Sequence, residues 1–153
     1  MTTAFWIICG AILLCIVVSG FFAGSETALT AASRARMHSL EHNGSIRARM
    51  VNALIDHRDR LIGALLIGNN LANILASSLA TSIFLDIFGA RGVAYSTAAM
   101  TVLLVVFAEV LPKSWAISRP DRFSLAVAPL VRGFVFVVGP VATLVNQIVR
   151  IVL

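Results

Sequence analysis

The sequence predicts an all-α integral membrane protein, with three spanning helices and further helices along one membrane surface. Two observations predict it. Hydrophobic residues fill 59% of the 153 positions and charged residues only 12%, roughly half the charged share of a soluble domain; mean hydropathy is +0.94. The charges are also grouped, with arginines falling beside long apolar runs in the manner of membrane flanks. The net charge of +5 is therefore a membrane signal and not a nucleic-acid one. Cys9 and Cys15 lie six apart in one apolar run, where a helix points them in different directions, so neither a disulfide nor a metal pair is expected.

The first span is expected over residues 4–32, the second over 61–88 and the third over 93–117, each exceeding the ~20 residues that a crossing helix needs. No Lys or Arg precedes Arg34, so the first run lacks the basic region of a signal peptide and is expected to remain in place. Arg34, Arg36, Arg47, Arg49, Arg58 and Arg60 separate the first two runs, only Arg91 separates the next two, and Lys113, Arg119 and Arg122 close the third. Positive charge marks the cytoplasmic side, which predicts an N-terminus outside the cell and a third span ending inside it. Within the basic segment 34–60, Asn43-Gly44 reads as a turn between two juxtamembrane helices. The second of them gathers Ile46, Met50, Ala53 and Leu54 on one side and is expected to lie on the membrane surface by that face. Ser118 and Pro120 start a fourth apolar helix, 120–153, interrupted by Gly139-Pro140. Arginines near its two ends leave open whether it crosses or lies in the interface. The apolar ending RIVL suggests a single membrane domain, 1–153, cut from something longer.

Polar residues inside the spans form three groups: SGFFAGSET (19–27), IGNNLAN (67–73) and AEVLPK (108–113). Ser25 is nine residues from Arg34, Asn70 ten from Arg60, and Glu109 ten from Arg119. At ~1.5 Å per residue all three lie about 14 Å inside the basic boundary, near mid-membrane. Asn69, Asn70 and Asn73 offer amide oxygens on one side of the second helix. Pro112 has no N–H for the carbonyl of Ala108, leaving that oxygen free beside Glu109. Gly20 and Gly24 allow a neighbouring helix close and allow the first helix to unwind, turning Ser19 and Ser25 inward.

Hydroxyls, amides, carbonyls and one carboxylate, with no imidazole or thiolate, suit a hard cation such as Mg²⁺, Ca²⁺ or Na⁺. The competing readings are structural: Gly20 and Gly24 as a packing motif, the asparagines as interhelical ties, and Glu109 paired with Lys113 at i+4. An unpaired intramembrane acid is costly and functional by default, which favours the site. His38, Glu41 and His42 lie in the basic segment and are weak candidates for a metal. An enzyme is not expected: no histidine lies in a span to serve Ser25 as a base, and Lys113 and Ser114 are neighbours that point apart. A membrane anchor or ion sensor regulating an attached soluble domain remains the alternative.

SGFFAGSETALTAASRARM, GNNLANILASSLAT and FAEVLPKSWAISRPDR, in this order and spacing, resemble the transmembrane domain of the CNNM/CorC family of magnesium transporters over essentially the whole chain. The resemblance implies three spanning helices, a last helix forming a cytoplasmic belt, and CBS and CorC-type domains further along the full-length protein. It implies Mg²⁺ export across the plasma membrane in exchange for Na⁺, by a homodimer formed through this domain. Carried over by position, it implies a Mg²⁺ site of Ser19, Ser25, Asn70, Asn73 and Glu109 with a main-chain oxygen near Gly68. Gly20, Glu26, Asn69 and Ala108 would be secondary or Na⁺ positions, and Gly20, Gly24 and Pro112 the hinges. For the contact between copies, Ala76, Ser77, Ala80 and Thr81 are small enough to serve.

Overall fold

The computed structural model describes residues 2–153 and is helical almost throughout. α1 (Thr3–Ala31) is followed by two short helices, α2 (Arg34–His42) and α3 (Ile46–Asp56). α4 (Arg58–Phe88) and α5 (Gly92–Leu103) form a hairpin, and α5 continues through a π-helical stretch (Leu104–Val110) into α6 (Leu111–Ser118). α7 (Pro120–Val152) completes the chain. Among the described residues, helices long and apolar enough to cross a membrane include α1 and α7 and the continuous run Arg58–Ser118. That run turns back on itself at Gly89, whose φ of +63° is a glycine conformation, and so supplies two passes.

Ser33 and Ser45 cap α2 and α3, their hydroxyls accepting the N–H groups of Arg36 and Ala48. Gly44, at φ +94°, makes the tight turn between them. Leu29, Met37, Val51, Leu65 and Val131 are fully buried together, joining α1, α2, α3, α4 and α7 at the basic end. Toward the other end the contacts are made by small residues, with Ala76 and Ala80 of α4 packed on Met100 of α5 and on Ile12, Cys15 and Ile16 of α1. Lipid is as apolar as leucine, so helices here associate by close packing, and small residues at the seams allow it. Leu13, Leu14, Val17, Leu71 and Ile74 face outward, as lipid contact requires.

Three expectations need correction. Of the α3 residues expected to face the membrane, Leu54 is instead buried, packing with Ala48 and Val51 in the cluster that includes Met37 and α7, while Ile46 and Ala53 are exposed. Ala76, Ala80 and Thr81 face the chain's own helices, Thr81 Oγ1 lying 3.0 Å from Ser96 Oγ, and so do not offer a free seam to a second copy. Gly139-Pro140 does not interrupt α7, which runs through both Pro129 and Pro140. The carbonyl of Leu125, which Pro129 deprives of its helical N–H, accepts Arg47 Nη1 at 3.2 Å instead.

α7 settles against the bundle as a belt. Near its start Asp121 accepts the Ser33 N–H at 2.8 Å and pairs with Arg36 at 2.7 Å. In its middle Phe134 stacks on Phe22, ring centroids 4.5 Å apart. Near its end Asn146 donates to the Asp59 carbonyl at 3.4 Å. Ser33 and Asp59 both sit at the basic end, so both ends of α7 are tied to that end of the bundle.

Candidate cation site

Two contacts bring the three polar segments together. The first is between α1 and α4. Ser19 Oγ, fully buried, lies 2.5 Å from Asn69 Oδ1 and 2.5 Å from Asn73 Oδ1. Asn69 and Asn73 are one helical turn apart on α4, so both amides meet the same point on α1. A hydroxyl has a single proton to give. With both amide oxygens turned to it, one of the two contacts is oxygen against oxygen with no hydrogen between. Such a cluster is relieved either by turning one amide to present its NH₂ or by a cation between the oxygens.

The second contact is between α1 and the π stretch. A Cβ on Gly20 would stand 3.0 Å from Pro112 Cγ and 3.4 Å from the Phe107 carbonyl oxygen, and one on Gly24 would stand 3.4 Å from the Pro112 oxygen. The two glycines are therefore a close-approach surface for the third pass. Pro112 explains the π geometry beside it. The Leu111 N–H reaches back to the Val106 carbonyl, five residues away. Residue 112 would serve the Phe107 carbonyl in that register or the Ala108 carbonyl in the α register, and proline serves neither. The missing N–H thus leaves a main-chain oxygen of this stretch short of a donor next to Gly20, itself the neighbour of Ser19. Ala108 is fully buried and Glu109 half-buried in this stretch. Among the described residues Glu109 forms neither an ion pair nor a side-chain hydrogen bond, and no Glu109–Lys113 bridge is present.

Other expected positions lie apart from this cluster. Asn70 is exposed, about 100° round α4 from Asn69; Asn69, expected only in a secondary role, holds the place against Ser19. Ser25 is fully buried with its hydroxyl unpartnered. It is six residues from Ser19 along an unbroken α1, a rise of ~9 Å, so the two hydroxyls do not meet at one ion. The unwinding expected at Gly20 and Gly24 does not occur in α1; the irregular backbone is in the third pass. Gly68 is a packing position, where a Cβ would come within 2.8 Å of the rings of Phe22 and Phe134. Glu26 is half-buried and, among the described residues, its carboxylate has no partner.

Comparison with known proteins places the chain in a family. Residues 10–153 match the family described as CNNM, the cyclin M transmembrane N-terminal domain. The chain belongs to the CNNM transmembrane-domain family. It is similar to the UPF0053 inner membrane protein YfjD of Escherichia coli K12, 38% identical over 136 residues, covering 89% of this chain and 32% of that protein. A UPF0053 protein of Haemophilus influenzae is 33% identical over 135 residues, covering 88% of this chain and 32% of its own length. A chloroplastic DUF21 domain-containing protein of Arabidopsis thaliana is 29% identical over 135 residues, or 86% of this chain and 20% of that one. The CNNM domain described here thus spans about a third or less of the length of these relatives, and it is a multi-pass membrane domain.

Proposed function

We propose that this domain carries Mg²⁺ across the membrane through a dehydrated site between α1, α4 and the π stretch. The observation that carries the proposal is the meeting of Ser19 Oγ with the side-chain oxygens of Asn69 and Asn73, 2.5 Å from each. In this reading Ser19, Asn69, Asn73, the carbonyls of Phe107 and Ala108, and the Glu109 carboxylate replace the waters of the ion. Mg²⁺ takes oxygen ligands in octahedral array at about 2.0–2.1 Å. One carboxylate leaves a divalent ion incompletely neutralised, so that a small displacement of the third pass against Gly20 suffices for release. Irregular backbone near the midplane is where transporters hold ions. Ser25, buried and unpartnered, is a further oxygen between this site and the basic end.

Arginines gather at one end of the bundle, which supports a cytoplasmic placement for that end in the plasma membrane, the N-terminus outside and the α7 belt inside. The exposed amide of Asn70 on α4 supports a second copy at this face, since lipid offers an amide no partner. Na⁺ exchange, with Glu26 or the same oxygens holding Na⁺, would drive export. The attached domains of the longer relatives would regulate it.

The test is flux. Liposomes holding the purified domain and a Mg²⁺-sensitive dye should show Mg²⁺ movement that rises with an opposing Na⁺ gradient. Glu109→Gln should abolish both flux and calorimetric Mg²⁺ binding. Undiminished binding in that variant would sink the site, and binding without flux in the wild type would turn the reading toward an ion sensor.

A further inference from the structure

At the basic end a cavity of about 500 Å³ opens between α3, the start of α4 and α7. Its floor is apolar, with Leu61, Val135 and Phe136 among the residues forming it, while Arg60, Arg132 and His57 stand in its wall. No Asp or Glu lines it. A polar cavity of about 480 Å³ adjoins it through the shared His57 and Arg60, adding Arg58 and Arg150. That second cavity contains Asp56 and Asp59 as well, and Asp56 is already engaged with Arg34.

The Arg60 guanidinium lies against Gly139 of α7. A Cβ on Gly139 would lie 2.1 Å from Arg60 Nε and 2.5 Å from its Nη2, so the guanidinium lies directly on the α7 backbone. Among the described residues it pairs with no carboxylate. An unpaired cation therefore sits where α4 and α7 meet, at the level of the arginine-rich flank, above an apolar trough. Phe136, 80% exposed, extends that trough outward.

We propose that this groove binds the headgroup phosphate of an anionic phospholipid, held by Arg60 and Arg132, with an acyl chain laid along Leu61, Val135 and Phe136. Charge complementarity decides the occupant. A zwitterionic lipid would bring its own cation to a wall already holding two arginines, whereas an anionic headgroup leaves its phosphate to them alone. Basic pockets between helices at the cytoplasmic level take phospholipid headgroups for this reason. Bound there, the lipid ties the belt to the start of α4. The inference requires only the membrane location of the domain, not Mg²⁺ transport.

The experiment is lipid titration of the purified chain in neutral detergent, read by native mass spectrometry, with dioleoyl phosphatidylglycerol and dioleoyl phosphatidylcholine as probes. Phosphatidylglycerol should bind saturably and phosphatidylcholine at least tenfold more weakly. The R60Q/R132Q variant should lose on the order of 30-fold in phosphatidylglycerol affinity, about fivefold for each cationic contact. R49Q/R122Q, which removes two exposed arginines of the same end outside the groove, should change it less than twofold. Gly139→Ala keeps every charge but displaces Arg60, and should weaken binding about fivefold with the thermal transition retained. Equal losses in the two double variants would mean diffuse attraction to the basic surface and overturn the proposal. So would phosphatidylcholine binding as tightly as phosphatidylglycerol, or displacement of the lipid by millimolar glycerol 3-phosphate, which would make the groove a site for soluble phosphates.

Discussion

Ser19→Ala separates an ion site from a polar tie between helices. In the absence of divalent ions both readings give a similar cost. The alanine removes the hydroxyl that Asn69 and Asn73 share, leaving their amides to each other. Interhelical hydrogen bonds in membranes are worth about 0.6 kcal/mol on average and up to about 1.7, so a loss of roughly 1 kcal/mol is expected. Mg²⁺ splits the readings. At a free concentration of 100 times Kd, one bound ion stabilises the wild type by about 2.7 kcal/mol. For a chain of this length that is a rise of roughly 5–10 °C in Tm. Loss of one oxygen ligand should weaken affinity at least tenfold, leaving about 1.4 kcal/mol at the same concentration and halving the rise. The assay is thermal unfolding in detergent, followed by circular dichroism with Mg²⁺ from zero to saturation, and with Asn70→Ala in parallel. Asn70 is exposed, so its variant should keep the full rise. An equal Mg²⁺-dependent rise in Ser19→Ala and wild type would refute the reasoning, because the hydroxyl would then only tie helices.

Further outcomes follow from the same geometry. Pro112→Ala returns an N–H to the carbonyls of Phe107 or Ala108 and removes the ring that packs on Gly20; Mg²⁺ affinity by calorimetry should fall at least tenfold while stability without Mg²⁺ is unchanged within about 1 kcal/mol. Gly92→Ala would put a Cβ 2.3 Å from the Phe84 carbonyl oxygen, a backbone atom with no rotamer to yield. It should destabilise the α4–α5 hairpin by about 3 kcal/mol, seen as a lowered denaturant midpoint. Asp121→Asn weakens the tie from α7 to Ser33 and Arg36 and should cost about 1 kcal/mol. Limited trypsin digestion should then cut faster after Arg34 and Arg36.

Much of the fold was legible because lipid enforces a simple rule: long apolar runs become helices, and arginines mark their ends. The face each helix turns inward was less legible, for the same reason. In water an apolar stripe identifies the core, whereas in lipid the outward stripe is equally apolar. Hence Leu54 was grouped with Ile46, Met50 and Ala53 on the membrane-facing side of α3, although it is buried with Ala48 and Val51. The asparagines show the remedy. Leu65, Asn69, Ala72, Ala76 and Ala80 share a stripe of mostly small residues and are all buried, while Asn70 falls beside Leu66 and Ile74 on the exposed side. Side-chain size, not polarity, distinguishes the two, because a seam between helices selects small residues where lipid does not. The π stretch had one sign in the sequence, Pro112, and that sign was read for Ala108 alone. A proline can shift the register of the preceding turn as well as free one carbonyl, and here the Leu111 N–H reaches Val106.

Gly20, Ser19 and Pro112 together suggest why the irregular backbone lies in the third pass and not the first. α1 keeps an unbroken helix because every pass leans on it: α4 through Ser19, the third pass through Gly20 and Gly24, and α7 through Phe22. Unwinding it would disturb three interfaces at once. The third pass leans mainly on α1 and α4 and exposes Val105, Val106 and Phe107, so a wider turn there meets little resistance. In the proposed ion site the rigid oxygens would be Ser19, Asn69 and Asn73, on the α1–α4 pair. Its movable ones would be the 107–109 backbone and the Glu109 carboxylate, carried on the π stretch, where release would need a change of register. A disulfide joining α1 to α4 near this level should spare Mg²⁺ flux, whereas one joining α1 to the π stretch should stop flux and leave binding intact. Flux lost in the first and kept in the second would reverse the assignment of rigid and moving parts.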